Sequence, residues 1–152
     1  MASPTTANTL ASQTTSKVVG LEVSAIDRLP YKMDATQVAL PGVEGLFVVL
    51  PGHAPLVSTL EIGVIRVQTA QGENRSFAIA GGVVRVLENQ VLVLARTAEM
   101  DAQIDRDRAE ASKKRAEERM KADERHKFDA ARVEASLRRA LARLQALSQH
   151  HQ

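Results

Sequence analysis

The stretch VLVLARTAEMDAQIDRDRAEASKKRAEERM, residues 91–120, changes character half-way, and that change decides the fold. Up to Ala95 it is a short run rich in Val and Leu, of the kind that forms strands. After Glu99 every Gly and Pro disappears, and residues 101–148 are dominated by Ala, Glu, Lys, Arg and Leu, which is helix composition. The chain therefore divides into a β part before this point and an α part after it.

Working back from the boundary, residues 18–95 are a series of short β-rich runs: LEV, TQVAL, LFVVL, VIRVQT, SFAIA, VVRVL and VLVLA. Their spacing is that of a sandwich or barrel. Period two puts Phe77 and Ile79 of SFAIA on one face, and Arg66 and Gln68 of VIRVQT on the face opposite their apolar neighbours. Pro41-Gly42, Pro51-Gly52, Gln71-Gly72 and Gly81-Gly82 are turn or bulge positions. Residues 1–17, rich in Ser, Thr and Ala with no apolar period, are read as a disordered tail.

Working forward, a single helix over residues 101–148 would be about 70 Å long at 1.5 Å per residue, far longer than the β module. A hairpin of two helices broken around KADERHKF, residues 121–128, is the compact alternative. Phe128, Val133, Leu137, Leu141, Leu144 and Leu147 form an apolar stripe with helical spacing. The first half has only Ile104 and Met120 as large apolar residues, with Ala102, Ala109, Ala111 and Ala116 at the other inward positions. Alanine buries little area, so at about 25 cal/mol per Å² the hairpin is expected to be held weakly.

Composition excludes several function classes. The 152 residues suffice for one ordinary domain, or a small domain with an appendage. There is no cysteine, hence no disulfide, Cys-ligated zinc, iron–sulfur cluster or thiol nucleophile. The β module has one histidine, His53, and scattered acids, so a multi-His metal site cannot be built. G-x-S-x-G and P-loop motifs are missing. The expectation is no catalytic residue, no metal and no required cofactor. No apolar run approaches the roughly 18 residues needed to span a bilayer, so membrane association is expected to go through a partner. Residues 1–100 carry seven Lys/Arg and eight Asp/Glu, whereas residues 101–152 carry thirteen and ten, so the basic excess belongs to the helical part. Those basic residues are interleaved with acids and lack aromatic stacking platforms, which argues against nucleic acid.

Two features remain as candidate sites. In LPGHAPLV, residues 50–57, two prolines flank a Gly-His pair and make a rigid excursion. His53 is there either a hydrogen-bonded loop residue or a partner contact. In the helical part Arg108 and Arg115 lie two turns apart on nearly one face, and Arg139 and Arg143 are i,i+4. Folding a hairpin could gather these four guanidinium groups, which suit phosphate oxygens. Asp105 would then be a hydrogen-bond acceptor for a base or a helix anchor, and Ala109 a place where bulk is unwelcome. The competing reading is a solvated helix, laced by i,i+4 pairs Glu110–Lys114, Glu117–Lys121 and Glu134–Arg138.

LPGVEG at residues 40–45, LFVVLPGHAPLVSTLEIGVIRV at 46–67, AIAGGVVRV at 78–86 and IDRDRA at 104–109 occur in the order found in one family. Over residues 18–147 the chain resembles the epsilon subunit of bacterial and chloroplast F-type ATP synthases. The resemblance implies a sandwich of about ten strands followed by an α-helical hairpin, the sandwich at residues 18–100 and the hairpin at 101–152. It implies a non-catalytic rotor subunit in the central stalk, coupling proton flow to ATP synthesis, whose sandwich binds the gamma subunit and the c-ring. The hairpin is expected to leave the sandwich, meet the alpha and beta subunits through Arg138, Arg139 and Arg143, and inhibit ATP hydrolysis. The family pattern I/L-D-x-x-R-A marks binding of ATP as a regulatory ligand, and is present as Ile104, Asp105, Arg108 and Ala109. Glu99, Arg115, Arg139 and Arg143 stand where further nucleotide contacts are implied, with Arg138 a competitor for one of the last two. The implied location is peripheral, on the cytoplasmic face of the bacterial plasma membrane, with the chloroplast thylakoid the second choice. Leu46 and Val48 stand where the family more often has an acid and a glycine. The reading from a different class is a free-standing adaptor that docks an unrelated protein.

Overall fold

Period-two alternation is visible strand by strand. In the computed structural model, which describes residues 17–122 and 130–148, Val19, Leu21 and Val23 are fully buried while Gly20 and Glu22 between them are half-buried. Val91, Val93 and Ala95 do the same on the strand that pairs with them in parallel register, Leu21 beside Val91 and Val23 beside Val93. The disordered-tail reading falls, but for Lys17, outside the described residues, as does Phe128.

The strands are β1 (Val19–Ala25), β2 (Tyr31–Gly42), β3 (Gly45–Val49), β4 (Leu56–Thr69), β5 (Asn74–Leu87), β6 (Gln90–Ala95) and β7 (Ala98–Met100). A 3₁₀ turn, Asp101–Gln103, leads into α1 (Arg106–Ala122), and α2 (Ala130–Ser148) follows. Strands β1, β6, β5, β4 and β2 form a closed ring through the β1–β2 pairing, leaving β3 and β7 at the edges. The ring encloses one core, with Phe77, Leu40, Ile65 and Ile79 its largest fully buried side chains.

Among the described residues there are seven strands rather than about ten. The reason is that long strands serve two layers without a break. The first half of β2 pairs with β1 and the second with β3; β5 pairs with β7 through residues 77–79 and with β6 through 82–87. Gly81-Gly82 makes the second switch possible. Gly81 has φ +76°, and a Cβ on Gly82 would strike the Leu94 carbonyl oxygen and lie 2.8 Å from the Ala95 Cα.

The helical part is a hairpin, not one long rod: α1 packs along α2, and α2 lies on β4 and β5. A second apolar cluster seals this junction, built from Val64 and Ala78 of the sheet, Ile104, Ala109 of α1, and Ala142 and Ala146 of α2. The leucine stripe expected on α2 is not its buried face. Val133, Ala140, Ala142 and Ala146 are buried; Leu137, Leu144 and Leu147 are half-buried, and Leu141 is 43% exposed. A helix wedged between a sheet and another helix needs its smallest side chains at closest approach, and the leucines flank them. On α1, Ala109 and Ala116 are buried, but Ala111 is exposed because it sits about 200° round the helix from Ala109. Ala102, in the 3₁₀ turn, is exposed as well.

Asp101 pins the junction. It is 3% exposed, and its Oδ2 accepts the Ser76 N–H at 3.0 Å while Oδ1 accepts the Ala102 N–H at 2.6 Å. Asp101→Ala strands a buried amide and is expected to cost about 1–3 kcal/mol, seen as a lowered melting temperature and faster hydrogen exchange at Ser76. Gly82→Ala forces β5 and β6 apart and is expected to cost about 2–3 kcal/mol, measured by urea unfolding.

Candidate functional site at the sandwich–hairpin junction

Where the sandwich meets both helices there is a cavity of about 350 Å³, at the low end of the range for small-ligand sites, about 300–1,000 Å³. Its wall is drawn from five places in the chain. The β1–β2 turn gives Asp27 and Arg28; β7 gives Glu99; the junction gives Gln103, Ile104 and Asp105; α1 gives Arg108, Ala109 and Ser112, and α2 gives Arg143. Three guanidinium groups thus face three carboxylates. Such a lining suits a ligand that carries both anionic groups and hydrogen-bond donors better than it suits a bare anion.

The four pattern residues of the IDRDRA segment, Ile104, Asp105, Arg108 and Ala109, divide into three structural residues and one uncommitted residue. Asp105 caps α1, its Oδ1 accepting the Arg108 N–H at 3.0 Å, and its carbonyl accepts the Ala109 N–H at 3.0 Å. Ile104, 8% exposed, plugs the second apolar cluster. Ala109 is buried in the same cluster, where added bulk would push α1 away from its neighbours. Arg108 carries an exposed side chain with no partner among the described residues, and unlike the exposed Arg106 and Asp107 beside it, it lines the cavity.

Glu99 and Arg143 face each other across the junction. The Arg143 guanidinium donates from Nη2 to Oε1 at 2.7 Å, and from Nε to Oε1 and Oε2 at 3.0 and 3.1 Å. This clamps α2 to β7. A second clamp runs from Arg138 Nη2 to Glu61 Oε2 of β4 at 2.7 Å. Both pairs are partly exposed, at 24–29% and 42–45% of their side chains, so each contributes on the order of 0–1 kcal/mol to docking.

The hairpin does not gather all four arginines expected. Arg108 and Arg143 share the cavity; Arg115 instead donates to Ser112 Oγ at 3.1 Å and lies outside it. Arg139 lies one turn before Arg143, between a small neighbouring cavity and a more open cleft of about 530 Å³ that it lines with Arg119 and Arg132. Arg138 reaches Glu61 of β4, and neither it nor Arg139 lines the junction cavity. The pair Glu134–Arg138 is likewise replaced by the bond to Glu61, and the α1 ion pair is Lys113–Glu117 at 3.8 Å, not Glu110–Lys114 or Glu117–Lys121. Asp27, Arg28, Gln103 and Ser112 are the lining residues the sequence reading missed. The first two are the most remote, more than seventy positions from the motif, in a turn whose only signal is its turn chemistry.

His53 is half-buried, its Nδ1 hydrogen-bonded to the Ala54 carbonyl oxygen at 2.7 Å, and the loop is tied to the next turn by Gly52 N–H donating to Asn89 Oδ1 at 2.7 Å. Nearby, β3 forms normally with Leu46 and Val48 in place of an acid and a glycine, and presents both outward, 62% and 40% exposed. Among the described residues no group of His, Asp and Glu side chains could hold a metal ion, and no helix is long and apolar enough to cross a membrane.

Comparison with known proteins joins the two modules. Residues 18–101 match the family described as the beta-sandwich domain of the ATP synthase delta/epsilon chain, and residues 102–148 match its long alpha-helix domain. The ATP synthase epsilon chain of Syntrophomonas wolfei is 41% identical over 126 residues, covering 83% of this chain and 91% of that one. That of Nitratidesulfovibrio vulgaris is 42% identical over 129 residues, covering 85% and 95%. A chain in the mitochondrial ATP synthase of Euglena gracilis shares the fold, with TM-score 0.74 at 20% identity over 96% of this chain and 89% of that chain. A free-standing adaptor is not favoured by these likenesses. With sandwich and hairpin both matched in order along 18–148, the chain belongs to the delta/epsilon family of ATP synthase subunits, as an epsilon-type member.

Proposed function

We propose that this chain, a non-catalytic central-stalk subunit of the F-type ATP synthase, is a rotor element whose hairpin brakes ATP hydrolysis and whose junction cavity senses ATP. The observation that carries the reading is the cavity itself. Its walls come from the sandwich and from both helices, so it exists only while the hairpin is docked, and inside it Arg108 has no partner among the described residues. A ligand shifts a two-state balance only through different affinities for the two states. A nucleotide held there favours the docked hairpin for the simple reason that undocking dismantles its site.

In this reading Arg108 and Arg143 donate to phosphate oxygens, and Glu99 exchanges its bonds to Arg143 for donors on the ribose or base. Asp105 and Ala109 act indirectly, by starting α1 at the right residue and letting it approach α2. Arg139, one turn before Arg143, contributes positive potential from the adjoining cavity, and Arg115 joins only if its bond to Ser112 opens. When nucleotide is scarce, release of the two clamps frees Arg138 and Arg143, with Arg139 beside them, to meet acidic residues of the alpha and beta subunits. The docked state is held by alanine-rich packing and two surface ion pairs, so it is easily traded for such contacts.

The sandwich is proposed to seat on the gamma subunit and the c-ring, through the outward apolar side chains of β3 and the His53 loop, with exposed Leu46, Val48 and Leu50 supporting this choice. That places the chain peripherally at the membrane, on the cytoplasmic face in a bacterium. Isothermal titration of the chain with ATP is expected to show binding that Arg108→Ala weakens about tenfold or more, as loss of a charge-assisted donor requires; wild-type affinity in the variant would refute the assignment of Arg108. Removing residues 101–152 from the assembled complex is expected to raise ATP hydrolysis, about twofold if half the complexes are braked at the start; unchanged hydrolysis would count against the brake.

A further inference from the structure

The β1–β2 turn, residues 26–30, has no part in packing the sandwich: Ile26 and Leu29 are 91% and 88% exposed. Yet its Arg28 lines the same cavity as Arg108 and Arg143. Arg28 is also held in place. Its Nη1 donates to Gln103 Oε1 at 2.9 Å and to Tyr31 Oη at 3.3 Å, and the Tyr31 hydroxyl in turn hydrogen-bonds Gln103 Oε1. The Tyr31 ring leans on Phe77, centroids 5.2 Å apart, and Phe77 is fully buried, so the tether runs back to the centre of the sandwich core. These bonds use one nitrogen of the guanidinium fork. Nη2 and Nε remain for a ligand, and a fork with two free nitrogens is what bidentate donation to an oxyanion requires.

We propose that Arg28 is a nucleotide-binding residue, the sandwich's own guanidinium donor to the phosphate chain, completing with Arg108 and Arg143 a three-arginine cradle drawn from the turn, α1 and α2. This rests on the nucleotide reading of the cavity and adds to it that the ligand bridges the two modules directly. The charge arrangement agrees. Arg28 lies close enough to Glu99 and Asp27 to feel both, although its pKa is raised chiefly by the bond to Tyr31. A phosphate group entering between Arg28 and Arg143 would take over the neutralising role of Glu99 toward both cations.

The test is calorimetric titration of the full chain with ATP, and separately with adenosine, using wild type, Arg28→Ala, Arg28→Lys, Gln103→Ala and Arg108→Ala. Arg28→Ala is expected to weaken ATP about ten- to a hundredfold and to leave adenosine unchanged, with Arg28→Lys intermediate, since it keeps the charge and loses the fork. Gln103→Ala, which cuts the tether and keeps the guanidinium, is expected to cost less. Wild-type ATP affinity in Arg28→Ala, alongside a loss in Arg108→Ala, overturns the proposal and leaves the nucleotide reading intact. A loss in Gln103→Ala as large as that in Arg28→Ala also overturns it, by showing that Arg28 acts only as a strut for the junction. No binding by wild type at millimolar ATP removes both the nucleotide reading and this residue's part in it. Arg28→Lys keeps the comparison usable if the alanine variant folds poorly.

Discussion

Ala142 and Ala146 stand one helical turn apart on α2, and their small size lets the helix settle onto Val64 and Ala78 of the sheet. The rest of the junction depends on that close approach. It brings Arg143 within bidentate reach of Glu99 and Arg138 within reach of Glu61, and it sets α1 where Ile104 and Ala109 can fill the remaining space. Leucine at either alanine position would lift α2 by more than a hydrogen bond can stretch, and both clamps would part together. A contact made of alanines buries little area, so its strength comes from fit rather than from size.

That same economy explains which parts of the structure were legible in the residues. The strands could be read where they bury one side of a period-two pattern, as Val84 and Val86 show against exposed Val83, Arg85 and Leu87. The hairpin could be read from the loss of Gly and Pro after Glu99. The buried face of α2 could not, because hydrophobic size points to Leu137, Leu141 and Leu144 while the geometry of a doubly packed helix selects alanine. Strand number failed for a related reason: punctuation at Gly81-Gly82 marks a bend within β5, and a bend need not end a strand.

Within the cavity, Arg108 and Arg143 could be singled out from helical spacing and Asp105 as a helix anchor, whereas Glu99 is reached only through the family resemblance. Arg28 was invisible, since its place is fixed by a turn between β1 and β2 that nothing nearby in the chain connects to the helices. The arginines that did not join, Arg115 and Arg139, show the limit of helical arithmetic: the seven residues from Arg108 to Arg115 are two turns, about 10 Å along the axis, so sharing a helix face does not put two side chains in one cavity. Asp101 also lay outside any motif, yet it ties the 3₁₀ turn to the Ser76 N–H of β5.

The closed ring of five strands leaves β3 paired only with β2 among the described residues, and its other edge is apolar, with Leu46 and Val48 turned outward and Val43 and Leu50 exposed at its ends. A short, bare, uncharged strand edge is a template for another copy of itself. A chain made in excess of its complex therefore has a reason to stick to its own kind, and its solubility in the cell becomes a matter of stoichiometry: newly made copies stay monomeric only as long as assembly removes them faster than they meet.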